Sequence, residues 1–385
     1  MRICRVATVP FFMLHHLQSQ IRSTVARGHE VFLVTSPGPG IDEVAQIPGI
    51  SLKPINIERG ISLLADFRTL VALYLFFRKS HVDIVHSTTP KAGFLCALGG
   101  LLARVPIRLH TFTGQRWMEL GGVLRWMLKA CDWLIVNLNT CCYADSESQR
   151  AFLIEQGIAS PDKIKVLGPG SLAGVDLAKI ERWHLLEHSS KLKADLRIPE
   201  NAKVITFVGR VTRDKGIAEL VAAFDTVRDK IKNALLILVG PLEPERDPLP
   251  ENLLAAINSN PHVRVVGYDP APEKYLAISH VLCLPSYREG FGNVVIEAAA
   301  FGVPAVGTDI VGLKDAIVDR KTGILIPPKD AAALADALLD LLGNDELRKR
   351  MGEAAKHRAA SLFDSNLVNS CVLDEYDALF REKNG

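Results

Sequence analysis

Short apolar segments alternate with helix-like segments along almost the whole chain, and this alternation constrains the fold more than any other feature. It is typical of wound α/β folds with parallel sheets. In the first half, strand-like segments lie at 2–9, 30–35, 82–86, 106–111, 140–144 and 164–167, and helical periodicity lies at 13–27, 62–79, 91–103, 122–138 and 146–156. In the second half, strand-like segments lie at 203–208, 234–239, 263–266, 280–284, 304–307 and 323–326, and helices follow from 329. The sequence therefore predicts an α/β protein with two Rossmann-like wound domains that face each other across a cleft.

The length of the chain agrees with two domains, because 385 residues suit two units of about 150–200 residues each. Residues 168–200 break the alternation with GPGSLAGVD and a polar stretch, which indicates the connection between the domains. We expect a first domain over 1–180, a second over 181–365, and a C-terminal helix over 366–385 that can pack back on the first. Ligands of such sheets bind beyond the carboxyl ends of the strands, so the active site is expected between the domains.

Charge and cysteine content argue against several classes of protein. The net charge of +2 argues against nucleic acid as a partner. Residues 1–180 hold 19 Lys and Arg against 13 Asp and Glu, whereas the rest holds 26 against 30. The first domain could therefore face an anionic surface or acceptor, although charges scattered over a solvated surface would look the same. The seven cysteines form no CxxC pair and have no zinc-site spacing with histidine, which indicates a reducing, cytoplasmic compartment.

The segment VGRVTRDKG joins an apolar strand to a helix and carries two cations that could bind phosphate. Gly209 permits an unusual backbone turn, Arg210 offers a planar fork, and Lys215 adds a point charge. The positive end of the following helix points the same way. This set suits a diphosphate leaving group, although a loop of solvated basic residues would look similar. It is not a P-loop, because GxxxxGK[ST] is absent.

The segment PSYREGFGNVVIEAAAFGVPAVGTD carries two carboxylates eight residues apart, on a glycine-containing loop and on the helix 293–300 that follows. Gly290 and Gly292 allow the loop backbone to approach a ligand closely. Glu289 could accept hydrogen bonds from sugar hydroxyls, and Glu297 could bind the ribose hydroxyls of a nucleotide. The apolar flanks of Glu297 predict a partly buried carboxylate, which is costly unless it is paired. A salt-bridge or helix-dipole role is the alternative for both.

In combination these motifs resemble those of the retaining glycosyltransferases of GT-B type that form family 4 of the sugar-transferase classification. EGFGNVVIE matches the Glu-x7-Glu motif of that family, and Arg210 and Lys215 match its paired basic residues. The resemblance extends over most of the chain and is strongest from about 140 to 345. The segments HSTTPKAG and HTFTGQRW resemble bacterial enzymes that build surface polysaccharides or lipid-linked oligosaccharides.

The resemblance implies transfer of a hexosyl or N-acetylhexosaminyl group from a nucleotide-sugar, by family habit a UDP-sugar, to a saccharide acceptor linked to polyprenyl diphosphate. Domain 1–180 would bind the acceptor and domain 181–365 the donor. The family keeps the anomeric configuration and generally needs no metal ion, and no Asp-x-Asp suggests one here, so no cofactor is expected.

The resemblance also implies roles for individual residues of the second domain. Arg210 and Lys215 would stabilise the departing diphosphate, where charge develops. Glu289 and the backbone after it would orient the donor sugar, and Glu297 would hold the ribose. The implied catalytic residues are Glu289, Arg210 and Lys215, and the implied donor-binding residues are Gly209, Arg210, Lys215, Tyr268, Glu289, Gly290, Phe291, Gly292, Asn293, Val294 and Glu297.

Two departures from the family pattern fall in the first domain. The first strand–helix turn reads ATVPFFMLHH, without the glycine pair that many members carry, and its bulky Pro10, Phe11 and Phe12 suggest a contact with the acceptor or a lipid in place of donor phosphate. His15 and His16 are candidate acceptor-site residues or, alternatively, ordinary helix residues. Thr113 stands where many members have a histidine that bonds the donor sugar, so that bond would pass to Thr113 or to the nearby His110. His110 and His86 could equally be core histidines with satisfied hydrogen bonds.

Two segments of the first domain could lie in a membrane interface or, alternatively, pack as core helices with a charged solvent face. They are WMELGGVLRWMLKACDWL at 117–134 and the helix 62–79, which ends in FFRK. The longest apolar stretches, 61–77 and 93–103, do not reach the ~18–20 unbroken apolar residues that spanning needs. We expect a cytoplasmic protein that can associate with the inner face of the membrane through its N-terminal domain.

Two other functional classes remain open. An epimerase or hydrolase of sugar nucleotides on the same architecture would need a general acid or base near the donor. A non-catalytic sugar-nucleotide-binding partner would agree with the missing glycine pair and the change from His to Thr. The complete set of Arg210, Lys215, Glu289 and Glu297 favours transfer.

Overall fold

The computed structural model describes residues 1–58, 60, 62–183, 186–243 and 247–384. These residues form two compact units, each with its own sheet. Unit 1 consists of Met1–Gly174 together with the C-terminal segment from Ser365, and unit 2 consists of Val175–Asp364. The chain changes unit at Gly174, a few residues before the predicted boundary at 180, and returns to unit 1 next to the predicted boundary at 365.

Unit 1 contains a seven-stranded parallel sheet with the order β3-β2-β1-β4-β5-β6-β7. Because helices cover both faces of this sheet, its strands consist largely of buried apolar residues. The strands are β1 Arg2–Val6, β2 Glu30–Thr35, β3 Ile50–Pro54, β4 Ile84–Ser87, β5 Ile107–Phe112, β6 Cys141–Ala144 and β7 Ile164–Val166. The helices before the change of unit are α1 Pro10–Phe12, a π-helix Met13–Leu17, α2 Gln18–Ala26, α3 Ile41–Ala45, α4 Leu63–Ser80, α5 Pro90–Leu102, a 3-10 helix Arg116–Glu119, α6 Gly122–Leu138 and α7 Glu147–Glu155.

Unit 2 contains a six-stranded parallel sheet with the order β10-β9-β8-β11-β12-β13. Its strands are β8 Lys203–Val208, β9 Ala234–Val239, β10 Val263–Gly267, β11 Val281–Leu284, β12 Ala305–Thr308 and β13 Gly323–Ile326. Its helices are α8 Leu177–Trp183, α9 Leu186–Asp195, a 3-10 helix Arg213–Lys215, α10 Ile217–Lys230, α11 Glu251–Ser259, α12 Glu273–Leu276, α13 Asn293–Ala300, α14 Leu313–Ala316, α15 Ala331–Gly343 and α16 Asp345–Leu362. The strand order is that of the Rossmann fold.

The last helix, α17 Ser365–Asn384, packs on the sheet of unit 1. Its residues Val372, Leu373 and Tyr376 bury apolar surface against β1, β4 and β5. The Tyr376 hydroxyl lies 2.5 Å from Arg5 Nη1 and 2.6 Å from His86 Nδ1. Because Arg5 is only 2% exposed, the Tyr376 hydroxyl and His86 Nδ1, which lies 2.8 Å from the same Nη1, help to satisfy a guanidinium that has little access to water. Residue 385, the end of the predicted C-terminal helix, lies outside the described residues.

Three local features differ from the prediction or add to it. The chain changes unit after Gly174, inside the predicted connection 168–200, but this range also contains α8 and α9, apart from 184 and 185, which lie outside the described residues. These helices are short and polar, so they lack a strong apolar period. Strand β3 was missed, because this edge strand is largely exposed and ends in a proline. The helix predicted at 13–27 begins earlier, at Pro10, and opens with a π-helical turn.

In the described residues we find no helix that is both long and apolar enough to span a bilayer. The same part of the chain holds no cluster of three or more His, Cys, Asp or Glu side chains arranged to bind a metal ion.

Candidate donor-binding site

The two motifs singled out in the second half of the sequence meet at one point of the unit 2 sheet. The loop after β8 carries Arg210 and Lys215, and the loop after β11 carries Glu289. Strands β8 and β11 are neighbours, and the chain runs outward from this pair in opposite directions, to β9 on one side and to β12 on the other. Such a switch point leaves a crevice at the carboxyl ends of the strands, where open α/β sheets bind ligands.

The two loops are in direct contact, and glycine makes this contact possible. Gly216 has a φ of 69°, and a Cβ atom there would lie 2.1 Å from the carbonyl oxygen of Pro285. The backbone N–H of Tyr287 donates to the carbonyl of Asp214 over 2.9 Å. A side chain at position 216 would therefore push the two loops apart.

A network of alternating charges occupies the space between these loops. Arg210 donates to Glu243 Oε2 over 3.0 Å and to Asp214 Oδ2 over 3.2 Å, and Arg288 donates to the same Asp214 oxygen over 3.0 Å. Burial alone would raise the pKa of Asp214, but the Thr212 hydroxyl and the nearby cations hold it below its ordinary value. Asp214 is therefore a carboxylate at neutral pH and fixes the orientation of both guanidinium groups.

Lys215 and Glu289 form the most enclosed ion pair of the site, with Nζ 2.5 Å from Oε1. The Ser286 hydroxyl donates to the same carboxylate oxygen over 2.8 Å. Both members of the pair have little exposed surface, 13% and 15% of their side chains. The structure thus brings together three residues that the sequence placed in one site: Arg210, Lys215 and Glu289.

Glu297 lies on α13, one turn beyond the loop, among buried apolar neighbours. Burial and, to a smaller extent, the negative charge of Glu273 raise the pKa of Glu297 to about 7, against the opposing effect of Lys179. Glu273 is itself buried and accepts hydrogen bonds from Lys179 Nζ over 2.8 Å and Trp183 Nε1 over 3.2 Å. Two carboxyl groups and one ammonium thus surround this side of the crevice.

The other predicted donor-binding residues of unit 2 differ in what they offer to a ligand. Gly292, with a φ of 89°, is the N-cap of α13, and a Cβ there would lie 2.5 Å from Leu313. Phe291 is buried and packs against Phe363, so only its backbone is available. Tyr268 is exposed directly after β10. The remaining members, which lie on the same loops or at the start of α13, are Gly209, Gly290, Asn293 and Val294.

The candidate residues of unit 1 divide into core and surface positions. His110 is buried, 2.9 Å from the Ser87 hydroxyl, and burial lowers its pKa to about 3. Its ring fills the space over Gly93, where a Cβ would lie 2.5 Å from the imidazole. His86 is also buried, and its Nε2 lies 2.7 Å from the Thr111 hydroxyl. Both are therefore core residues, which is the alternative left open above.

Thr113, His15 and His16 keep some access to solvent. Thr113 is half-buried directly after β5. His15 is exposed in the π-helical turn, where its ring lies 4.2 Å from that of Phe11. His16 is half-buried, and burial together with His15 lowers its pKa to about 4. A single π-helical turn inside a helix often marks a functional position. A role in acceptor or donor binding for these three residues remains a prediction.

Five charged residues of the site, three acidic and two basic, were not predicted from the sequence. Asp214, Glu243 and Arg288 complete the network around Arg210, and Glu273 and Lys179 complete the surroundings of Glu297. Asp214 and Arg288 lie inside the two recognised motifs, so their charges were a usable signal. Glu243 and Lys179 are distant in sequence from both motifs and had no local signal.

Comparison with known proteins gives matches along both units. The model described as "Glycosyl transferases group 1" matches residues 189–358, and the one described as "Glycosyl transferase 4-like domain" matches 13–170. Capsular polysaccharide biosynthesis glycosyltransferase CapM of Staphylococcus aureus is 30% identical over 369 residues, which cover 96% of this chain and 95% of CapM.

Solved structures give the same fold. Sucrose-phosphate synthase from Thermosynechococcus elongatus superposes with a TM-score of 0.82 at 22% identity, over 99% of this chain and all of that one. HepE of Anabaena, solved in complex with UDP-glucose, superposes with a TM-score of 0.81 at 18% identity, over 98% of this chain and 100% of HepE. With the full-length similarity to CapM, these findings show that the chain is a glycosyltransferase of GT-B fold and belongs to glycosyltransferase family 4.

Proposed function

We propose that this enzyme transfers a sugar from a UDP-sugar to a polyprenyl-diphosphate-linked saccharide, with retention of the anomeric configuration, in the synthesis of a surface polysaccharide or related glycan. The observation that carries the proposal is the convergence of Arg210, Lys215 and Glu289 at the switch point of unit 2. Two relatives support the finer points: HepE was solved with UDP-glucose, and CapM is described as a capsular polysaccharide enzyme.

In the proposed reaction the bond between the anomeric carbon and the diphosphate oxygen breaks, and the acceptor oxygen bonds to the same face of that carbon. The acceptor's proton passes to the departing phosphate, so no separate protein base is needed. Arg210 and Lys215 stabilise the negative charge that grows on the diphosphate, which is the largest contribution that such a site can make. Glu289 accepts hydrogen bonds from the donor sugar, and Glu297 accepts them from the ribose.

The acceptor is assigned to unit 1 in this proposal. His15, His16 and Thr113 are the candidate contacts, because they are the predicted residues of unit 1 that keep solvent access. All seven cysteines lie in the described residues and none is paired, which supports a reducing cytoplasmic location.

The donor is tested by thermal unfolding with UDP-, GDP-, ADP- and dTDP-sugars. A nucleotide-sugar at 100 times its Kd should stabilise the protein by about 2.7 kcal/mol, because only the folded state binds it. We expect a UDP-sugar to do so in the wild type and in Glu353→Ala, an exposed position on α16, but not in Glu297→Ala. Stabilisation by none of these sugars would contradict the donor-site assignment.

Product analysis with the stabilising sugar separates transfer from the other activities considered. Transfer requires an acceptor before UDP is released. Release of free sugar without acceptor would indicate a hydrolase, and conversion to an isomeric nucleotide-sugar would indicate an epimerase. Either result would replace the proposal.

Peripheral membrane contact forms part of the proposal, and the helices α4 and α6 support it. Both expose large apolar side chains, with Phe67 63% and Trp126 71% exposed. The exposed apolar residues of these helices are Leu63, Leu64, Phe67, Val71, Leu75, Val123, Leu124, Trp126, Met127 and Trp133. Exposed apolar residues in such numbers on two helices mark an interaction surface rather than ordinary scatter.

The charges on these two helices indicate an anionic lipid surface as the partner. Arg68, Arg78 and Lys79 are exposed on α4. The Lys129 ammonium lies 5.5 Å from the ring centre of Trp126 on α6. The single carboxylates of these helices are bound to other groups: Asp66 pairs with Lys91 over 2.6 Å and Asp132 accepts from Trp117 over 2.7 Å. Cations beside exposed aromatic residues are typical of interfacial helices.

We expect the protein to co-sediment with vesicles that contain phosphatidylglycerol, and less with pure phosphatidylcholine. Phe67→Ser and Trp126→Ser should each weaken binding roughly tenfold, because each removes a large apolar side chain from the lipid. Leu367→Ser, at an exposed apolar position of α17, is the matched control. Unchanged binding by the α4 and α6 variants would exclude these helices as the contact.

A further inference from the structure

Among the described residues, the ion pairs of the donor site balance in charge. Three cations, Arg210, Lys215 and Arg288, are bound by three carboxylates, Asp214, Glu243 and Glu289. The diphosphate of a donor carries its own negative charges, so it would meet no net positive charge while all three carboxylates stay in place. Like charges held close together in a partly buried site repel each other. Binding of a diphosphate therefore favours the withdrawal of one carboxylate.

Two of the three carboxylates are firmly held. Asp214 bonds the Thr212 hydroxyl over 2.6 Å as well as both arginines. Glu289 bonds Lys215 and the Ser286 hydroxyl. Glu243 is the most exposed of the three, and Arg210 is the one side chain among the described residues that pairs with it.

The described residues on either side of Glu243 are held by hydrogen bonds that do not involve its side chain, so that side chain can rotate without breaking them. The Val211 N–H donates to the Pro241 carbonyl over 2.9 Å, and the Asp214 N–H donates to Asp247 Oδ2 over 2.7 Å. Gly240 approaches the Gly209 carbonyl so closely that a Cβ would lie 1.8 Å from it. Rotation of the Glu243 side chain alone would free Nη1 of Arg210, whose side chain is already 37% exposed, while Nη2 stays bound to Asp214.

We propose that Glu243 is a displaceable partner of Arg210: its carboxylate binds Arg210 until a donor arrives, and the donor diphosphate displaces it. This inference rests on the proposed donor site and adds a positioning residue to it. A ligand must then outcompete a carboxylate for Arg210. A diphosphate can do so because it offers several charged oxygens to the fork. A ligand that lacks phosphate gains no bond to Arg210 when Glu243 withdraws. Its affinity should therefore not depend on the residue at position 243.

The test is calorimetric titration of UDP and uridine into the wild type, Glu243→Gln and Asp340→Asn. Asp340 pairs with Arg320 on the surface of unit 2 at 3.5 Å. Asp340→Asn therefore also removes the carboxylate partner of an arginine and is the matched control. Glu243→Gln should bind UDP about three- to fivefold more tightly, the range that a partly exposed ion pair can contribute. Uridine affinity should stay unchanged, and Asp340→Asn should bind both ligands as the wild type does.

Turnover gives a second readout. Because the Arg210–Glu243 pair is already broken when donor is bound, Glu243→Gln should lower KM for the donor without raising kcat. A merely structural role of Glu243 would instead lower the unfolding temperature and weaken both ligands.

The outcomes separate this inference from the function on which it rests. Equal or weaker binding of UDP by Glu243→Gln, with normal binding by the wild type, would overturn the displacement of Glu243 and leave the donor site intact. An equal gain for uridine would also overturn it, because the effect would not involve the diphosphate. Failure of the wild type to bind UDP would count against both.

Discussion

Replacement of Arg210 by alanine is expected to lower the turnover of glycosyl transfer by about 10²–10³-fold, equivalent to roughly 2.7–4 kcal/mol of transition-state stabilisation. Negative charge develops on the diphosphate as it departs, and Arg210 offers a rigid fork of donors to it. Asp214 binds this guanidinium over 3.2 Å and keeps that contact when Glu243 withdraws, so Arg210 is preorganised rather than mobile.

The variant should remain folded. Asp214 keeps its bonds to Arg288 and Thr212, and Glu243 has access to water. Arg320→Ala, which removes an exposed arginine from the pair with Asp340, is the matched control and should retain normal turnover. Single-turnover kinetics at saturating donor give the relevant rate. A rate within about threefold of the wild type would show that Arg210 does not contact the leaving group.

Replacement of Glu297 by glutamine is expected to have opposite effects on stability and on function. The folded-state pKa of Glu297 is about 7, raised from an ordinary value of 4.5. The folded protein therefore binds more protons than the unfolded chain between these values, and stability falls as pH rises through this window. Removing the carboxyl should stabilise the unliganded protein by roughly 2–3 kcal/mol at pH 8, and by little near pH 4.5.

The same change should weaken donor binding, because an amide is a poorer acceptor for ribose hydroxyls than a carboxylate. Glu297→Ala should abolish transfer. Denaturant unfolding at pH 5 and pH 8 measures the stability, and titration with UDP over the same range measures the binding. Wild-type affinity should rise with pH as Glu297 ionises, and that of Glu297→Gln should be flatter. Glu353→Gln, in an exposed position of α16, should show neither effect. A variant that is no more stable at pH 8 would contradict the raised pKa.

The sequence was most informative where a local pattern coincides with the fold. Strands β8 and β9 have the predicted bounds, and α13 begins at Asn293 as expected. Each of these elements is bounded by a glycine next to an apolar run, which marks its end or its start in the sequence. The pairing of Arg210 with Glu243 could not be predicted, because the two residues come from different strand–loop junctions, 33 positions apart. Only the order of the strands brings those junctions together.

Side-chain direction was the second limit. Both faces of a parallel sheet are covered, so the apolar–polar alternation at the start of strand β5 does not tell which of its residues are buried and which approach the surface at its end. Thr113 and His110 were therefore equal candidates until the burial of His110 over Gly93 separated them. Edge strand β3 and the polar helices α8 and α9 bury little surface. They therefore carry few apolar residues, and the sequence gives no clear pattern for them.

The return of the chain to unit 1 through α17 has a consequence for the order of events during synthesis. All of unit 2 is contiguous in sequence and leaves the ribosome before α17 does. The sheet of unit 1 is translated first, but Ile3, Ile84 and Leu109 lack their packing against α17 until that helix has been synthesised. Arg5 likewise lacks its hydrogen bond to Tyr376, which lies 371 positions later in the chain. Domains generally fold as they emerge, with the N-terminal one first. In this protein the second unit can therefore reach its final structure first, because every residue that it needs is translated before α17.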